Sequence, residues 1–278
     1  MTVLPIGILF ALASAAVWGS GDFAGGIATR RSHQFQVLAL SALSGTVLLG
    51  IVALALETMP SASSLIWAAL AGVAGAIGIA SLYRGLAVGG AAVVAPIAAV
   101  VTAVLPVIFA AFTVGFPRAS QLLGFMLALA GIWLVTRTPA NEGVSRTGLR
   151  LAVVAGTGFG AFLILISQVE RNLVFGPLAM ARTVMLGTAI VLMLSRRIPL
   201  PSPTSNYLAL LAGALDAGGN VFYLLARQHT RLDVAAVLSS LYPIATVALA
   251  RAVSNERVRA AQWVGVGICL ASVALIAI

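Results

Sequence analysis

Asp216 stands in GALDAGGN, residues 213–220, a run that is otherwise small and apolar apart from Asn220. Asn220 follows at i+4 and Tyr223 at i+7, a spacing that puts all three on one face of a helix. An acid at the centre of an apolar helix of membrane length costs about 2.5–3.5 kcal/mol, so it is expected to face a bundle interior or a watery cavity. There a carboxylate can bind an amine or take up a proton. It can also be one half of a structural ion pair. Arg182 is the natural partner, about 7 Å along its own helix at a rise of 1.5 Å per residue. The same guanidinium would equally suit a substrate carboxylate.

Other polar and aromatic residues could join this stripe. Trp18 and Phe159 each precede a glycine and suit either cavity walls or helix packing. Tyr242 precedes Pro243, with Ser239 and Ser240 a turn earlier, where a hydroxyl serves a ligand or its own backbone. Asp22 and Arg84 fall near the same end of their helices and suit a helix-end ion pair or a gate. Glu170-Arg171 and Glu256-Arg257 lie at loop edges and read as solvated or capping pairs. His33 and His229 stand alone at helix ends and Cys269 is the single cysteine, so no metal site and no disulfide is expected. Without lysine there is no Walker A motif, and no catalytic constellation or cofactor motif is found.

The elements that must position these residues follow from composition. The chain has 278 residues, 61% of them hydrophobic and only 8% charged. Soluble domains carry about 25% charged residues, so this is an all-α integral membrane protein embedded in a lipid bilayer. Ten spans are expected, near 4–27, 34–56, 65–87, 91–113, 119–137, 149–169, 177–195, 206–227, 232–252 and 259–278. The first has no basic residue before it and reads as a retained span rather than a cleaved signal. Pro96, Pro106 and Pro243 favour kinks, and the spacing Gly21–Gly25 and the run 72–78 offer small faces for close packing. A net charge of +9 does not point to nucleic acid here, because the arginines sit mostly in short loops.

The chain repeats itself. RASQLLGFMLALAGIWL (118–134) lies over RAAQWVGVGICLASVAL (259–275), matching Arg118 with Arg259, Gln121 with Gln262 and Gly124 with Gly265. The same offset pairs Gly19 with Gly160, Gly72 with Gly213 and Gly78 with Gly219, but it sets Gly75, Ile79 and Leu82 against Asp216, Asn220 and Tyr223. Residues 1–137 and 149–278 are therefore expected to be five-helix repeats, joined by a linker over 138–148. Five is odd, so the second repeat enters the membrane inverted, an architecture common among secondary transporters.

With Trp18-Gly19 in the first span, Tyr242-Pro243 in the ninth and Glu256-Arg257 before the tenth, the chain resembles the drug/metabolite transporter superfamily, specifically its EamA-type members. It departs from that pattern in the first repeat, where Val101-Thr102 and Gly115-Phe116 replace Tyr-Pro and the acidic-basic pair. The resemblance implies a secondary transporter, working as an exporter, for small polar or amphipathic metabolites such as amino acids or amines. Alternating access is expected, with proton coupling through Asp216 as one option. A transport-silent membrane subunit and an integral membrane enzyme are the alternatives. The expected place is the cell (inner) membrane, multi-pass, with the oligomeric state open and a monomer among the options. The arginine-rich loops point to the cytoplasm and put both termini outside, whereas the resemblance implies termini inside.

Overall fold

A computed structural model of the chain describes residues 3–89, 91–136, 146–253 and 259–277. The helices are α1 (Val3–Ala28), α2 (Gln34–Leu56), α3 (Ala62–Gly89), α4 (Ala91–Thr113), α5 (Ala119–Thr136), α6 (Arg146–Ile166), α7 (Phe175–Ser195), α8 (Tyr207–His229), α9 (Leu232–Ser239), α10 (Pro243–Val253) and α11 (Ala260–Ala277). No strand occurs among the described residues. Nine segments are long and apolar enough to cross a bilayer, with α9 and α10 counted as one, and the 23-residue α4 supplies a tenth. Large apolar side chains such as Leu54, Phe112 and Leu270 lie on the outside. That is expected where the surrounding solvent is lipid.

The packing is nearly symmetric under exchange of the two repeats. α1 packs on α8 as α3 packs on α6, α2 on α8 as α7 on α3, and α4 on α6 as α10 and α9 on α1. The remaining large contacts, α5 with α11 and α2 with α7, join each helix to its own counterpart. Most of the close contacts therefore run between repeats rather than within them. Cys269 and Ala128, which are 141 positions apart, meet each other across the α5–α11 seam.

Lipid offers no hydrophobic drive between helices, so close approach of backbones must hold them together. Matched glycines provide it. A Cβ on Gly78 would lie 2.8 Å from the ring of Phe159, and one on Gly219 would strike the indole of Trp18. Gly19 sits against Tyr242, Ala245 and Thr246, as Gly160 sits against Thr102 and Leu105. The matched arginine and glutamine pairs have a local cause. The Gln121 side chain accepts from the Arg118 N–H at 3.2 Å, and Gln262 accepts from the Arg259 N–H at 3.0 Å. Each is half of a capping box that starts α5 or α11.

Two features depart from the symmetric expectation. α4 runs continuously through Pro96 and Pro106, whereas its counterpart breaks into α9 and α10 at Ser240–Tyr242. Pro243 has no N–H for the Ser239 carbonyl, which instead accepts from Tyr242 N–H at 3.3 Å in a tighter turn. Glu57 has Ile198 as its repeat mate. It accepts from the N–H groups of Val174, Phe175 and Gly176 at 2.6–2.9 Å and so caps the start of α7. The linker residues 138–145 lie outside the described residues, as do Glu256 and Arg257.

Candidate functional site

The central ion pair forms between Asp216 on α8 and Arg182 on α7. Arg182 is buried, with its Cδ against Gly45 of α2, and the Asp216 side chain is 38% exposed. The guanidinium reaches the carboxylate past α2 because α2 and α8 approach closely. A Cβ on Gly213 would strike the Ser41 carbonyl and the Ser44 hydroxyl, and Ser44 donates to the Leu210 carbonyl at 2.8 Å. Burial strengthens the attraction of such a pair and also charges for desolvating it. The exposed side of Asp216 softens both effects.

Around the pair stand three aromatic rings. Trp18 stacks on Tyr223 with centroids 5.9 Å apart and meets Tyr242 edge-on at 6.5 Å. The indole N–H donates to the Asp216 carbonyl at 3.3 Å, and the missing Gly219 side chain makes room for the ring. Asn220 donates from Nδ2 to the same carbonyl at 2.6 Å. That bond fixes the amide orientation, because flipping it would set two oxygens together. Its Oδ1 is then buried with no partner. Tyr223 is fully buried, and its hydroxyl donates to the Leu163 carbonyl at 2.9 Å.

The accessible part of this region lies along α1. Ala11, Ala15, Trp18, Asp22, Gly26 and Thr29 share one helical face, opposite the exposed Leu9 and Ala16. Ala11 and Ala15 on that stripe are buried, while Asp22, Gly26 and Thr29 are exposed, and nothing lies within 4 Å of a Cβ built on Gly26. The bundle interior is thus packed shut toward the chain termini and open toward the face that carries Arg30, Arg31, Arg196 and Arg197. All of α9, Leu232–Ser239, is buried at the closed end.

Not every expected residue joins the cluster. Asp22 and Arg84 form no ion pair with each other, because α1 packs on α8 while α3 packs on α6 and α7. Arg84 instead borders a surface pocket with Gln34, Phe35 and Arg196, and Asp22 lies within electrostatic range of Asp216. Phe159 lies on the symmetry-related side against Gly78. Ser239 is fully buried and its hydroxyl donates to the Ala11 carbonyl at 3.3 Å, while Ser240 donates to Ala236. His33 caps α2 and His229 stacks on Phe10. Sequence reading missed Ser14, which donates to the Gly219 carbonyl at 2.8 Å, as well as Ser44 and Glu57. A lone small hydroxyl in a span carries no periodic signal, so nothing in the sequence marked the first two. Among the described residues no cluster of His, Cys, Asp or Glu is arranged to hold a metal.

The symmetry-related position is apolar. Gly75, the counterpart of Asp216, faces Phe162 and the Met185 thioether, and Leu163 stands where Asp22 stands in the other half. The repeat mates of Asp216 and Asp22 are thus both uncharged.

Comparison with known proteins follows the same division. The EamA-like transporter family model matches residues 5–137 and again residues 146–278. A solved structure described only as a crystal structure of a protein superposes over 97% of this chain and 95% of its own, with a TM-score of 0.75 and 19% sequence identity. That likeness bears on the fold alone. No match to a curated protein was found. The chain belongs to the EamA-like transporter family and is a multi-pass membrane transporter of the drug/metabolite type.

Proposed function

We propose that this EamA-family transporter is an exporter of small polar or amphipathic metabolites, amino acids and amines first among them, working by alternating access in the cell membrane. The observation that carries this reading is the Asp216–Arg182 pair beside Trp18, Tyr223 and Tyr242, set in a bundle open at one face and packed at the other. A carboxylate paired with a guanidinium gives a polar wall for a charged or polar ligand, and aromatic walls hold an apolar body. Repeats that pack mainly on each other supply the interface across which one can rock against the other. The positive-inside rule assigns the arginine-rich face to the cytoplasm, so the open cavity loads from there, as export requires. The lining set proposed is Asp216, Arg182, Asn220, Trp18 and Tyr242, with Tyr223 closing the floor.

The test is untargeted mass spectrometry of the medium from cells expressing wild type or Asp216→Asn at matched membrane levels. A metabolite class raised outside wild-type cells alone supports export through this site. Equal export by both proteins removes Asp216 from the mechanism, and no change with either favours import or a silent subunit.

A further inference from the structure

The interior charges in the open half of the bundle do not balance. Asp216 is matched by Arg182. Asp22 points into the same cavity from the α1 stripe and has no ion-pair partner among the described residues. α8 presents Asp216, the turn before α10 presents Tyr242, and α10 also carries the exposed Arg251, which forms no ion pair with Asp22. α9 carries Asp233, held by Arg231 at the closed end, and α11 carries no charged residue. Two carboxylates against one guanidinium leave a net charge of −1 in the cavity. On α8, one turn beyond Asp216, the Asn220 Oδ1 is buried and has no hydrogen-bond partner. Trp18, one turn before Asp22 on α1, meets the Tyr242 ring edge-on at 6.5 Å.

We propose that Asp22 is the receptor for the cationic group of the substrate, and that the site takes organic monocations, ammonium ions with an apolar or aromatic body, in preference to zwitterions or anions. The inference rests on the transporter reading and sharpens its substrate class. The Asp216–Arg182 pair is the fixed polar wall of the site. Asp22 is the exchangeable charge, neutralised by the ammonium when the site is loaded. The rings of Trp18 and Tyr242 receive the body.

The test uses three probes that share one ring: 2-phenylethylammonium, phenylalanine and phenylacetate. Binding to purified protein and flux into proteoliposomes are measured for wild type, Asp22→Asn and Asp22→Glu. Wild type is expected to bind the cation about tenfold or more tightly than the other two, with affinity falling as pH is lowered. Asp22→Asn should lose that preference and its pH dependence with an unchanged thermal midpoint, and Asp22→Glu should restore both. Equal binding of the cation by wild type and Asp22→Asn overturns the proposal, and so does preference for the zwitterion or binding of none of the three. Asp22-dependent binding without flux of any probe would instead leave the receptor standing and refute transport.

Discussion

The two repeats share a packing scheme and divide the chemistry. Where they match, at Gly19 and Gly160, Gly78 and Gly219, and Gln121 and Gln262, the residues bring helices together or start them. Where they differ, at Asp216 over Gly75, Asn220 over Ile79, Arg182 over Ser41 and the broken α9–α10 over the continuous α4, polar groups collect around one cavity. An inverted repeat builds two equivalent half-pathways from one fold. A charged site placed in only one of them gives the pathway a direction along which a ligand is oriented.

Removing Arg182 should break this division most severely. Arg182→Ala leaves Asp216 facing Asp22 and should cut flux about 100-fold or more while lowering stability by up to ~3 kcal/mol, less than for a fully sealed pair because Asp216 is partly wet. Replacing both partners with leucine should recover most of the stability and none of the flux, read by thermal unfolding alongside vesicle uptake. Next in size is a matched pair of glycine variants. Gly219→Ala and Gly78→Ala should each cost about 1–3 kcal/mol by overpacking. Only Gly219→Ala displaces Trp18 from the site, so only that variant should impair flux. Equal flux losses would show that the rings serve packing in both halves.

Glu57→Gln tests an asymmetry without chemistry. The carboxylate caps three N–H groups at the start of α7, and its loss should cost about 1 kcal/mol and leave flux unchanged. Smallest of all, Gln121→Ala should lower the unfolding midpoint by an equivalent of about 0.5–1 kcal/mol, and Gln262→Ala by somewhat more, because Gln262 also donates to the Val135 carbonyl at 3.0 Å. Equal losses would show that the bond to Val135 adds nothing to the cap.

The architecture could be read from the chain because membrane length, a constant repeat offset and matched Arg, Gln and Gly residues are local signals. The Asp216–Arg182 pair was legible for a related reason, since a charge in mid-span must find a partner inside. Asp22 was assigned to Arg84 because both fall near one membrane face, and sequence depth says nothing about which helices touch. The α1–α8 and α3–α6 contacts decide that, and they come from the crossing of the two repeats. Ser239 failed to reach the cavity for a similar reason: its hydroxyl serves α1, and helix rotation at a proline break cannot be read from spacing. Glu57 was missed because the α7 N-terminus it caps lies more than a hundred residues away.

The most direct test compares Asp216→Asn with Gly75→Ala, its repeat mate, for flux of one transported substrate in sealed vesicles at matched protein levels. A Cβ on Gly75 would meet Phe162 at an ordinary 3.4 Å, so that variant should fold and transport as wild type does. If transport chemistry resides in the asymmetric cluster, Asp216→Asn loses about 100-fold in flux and Gly75→Ala stays within about threefold. Equal flux from the two variants would contradict it.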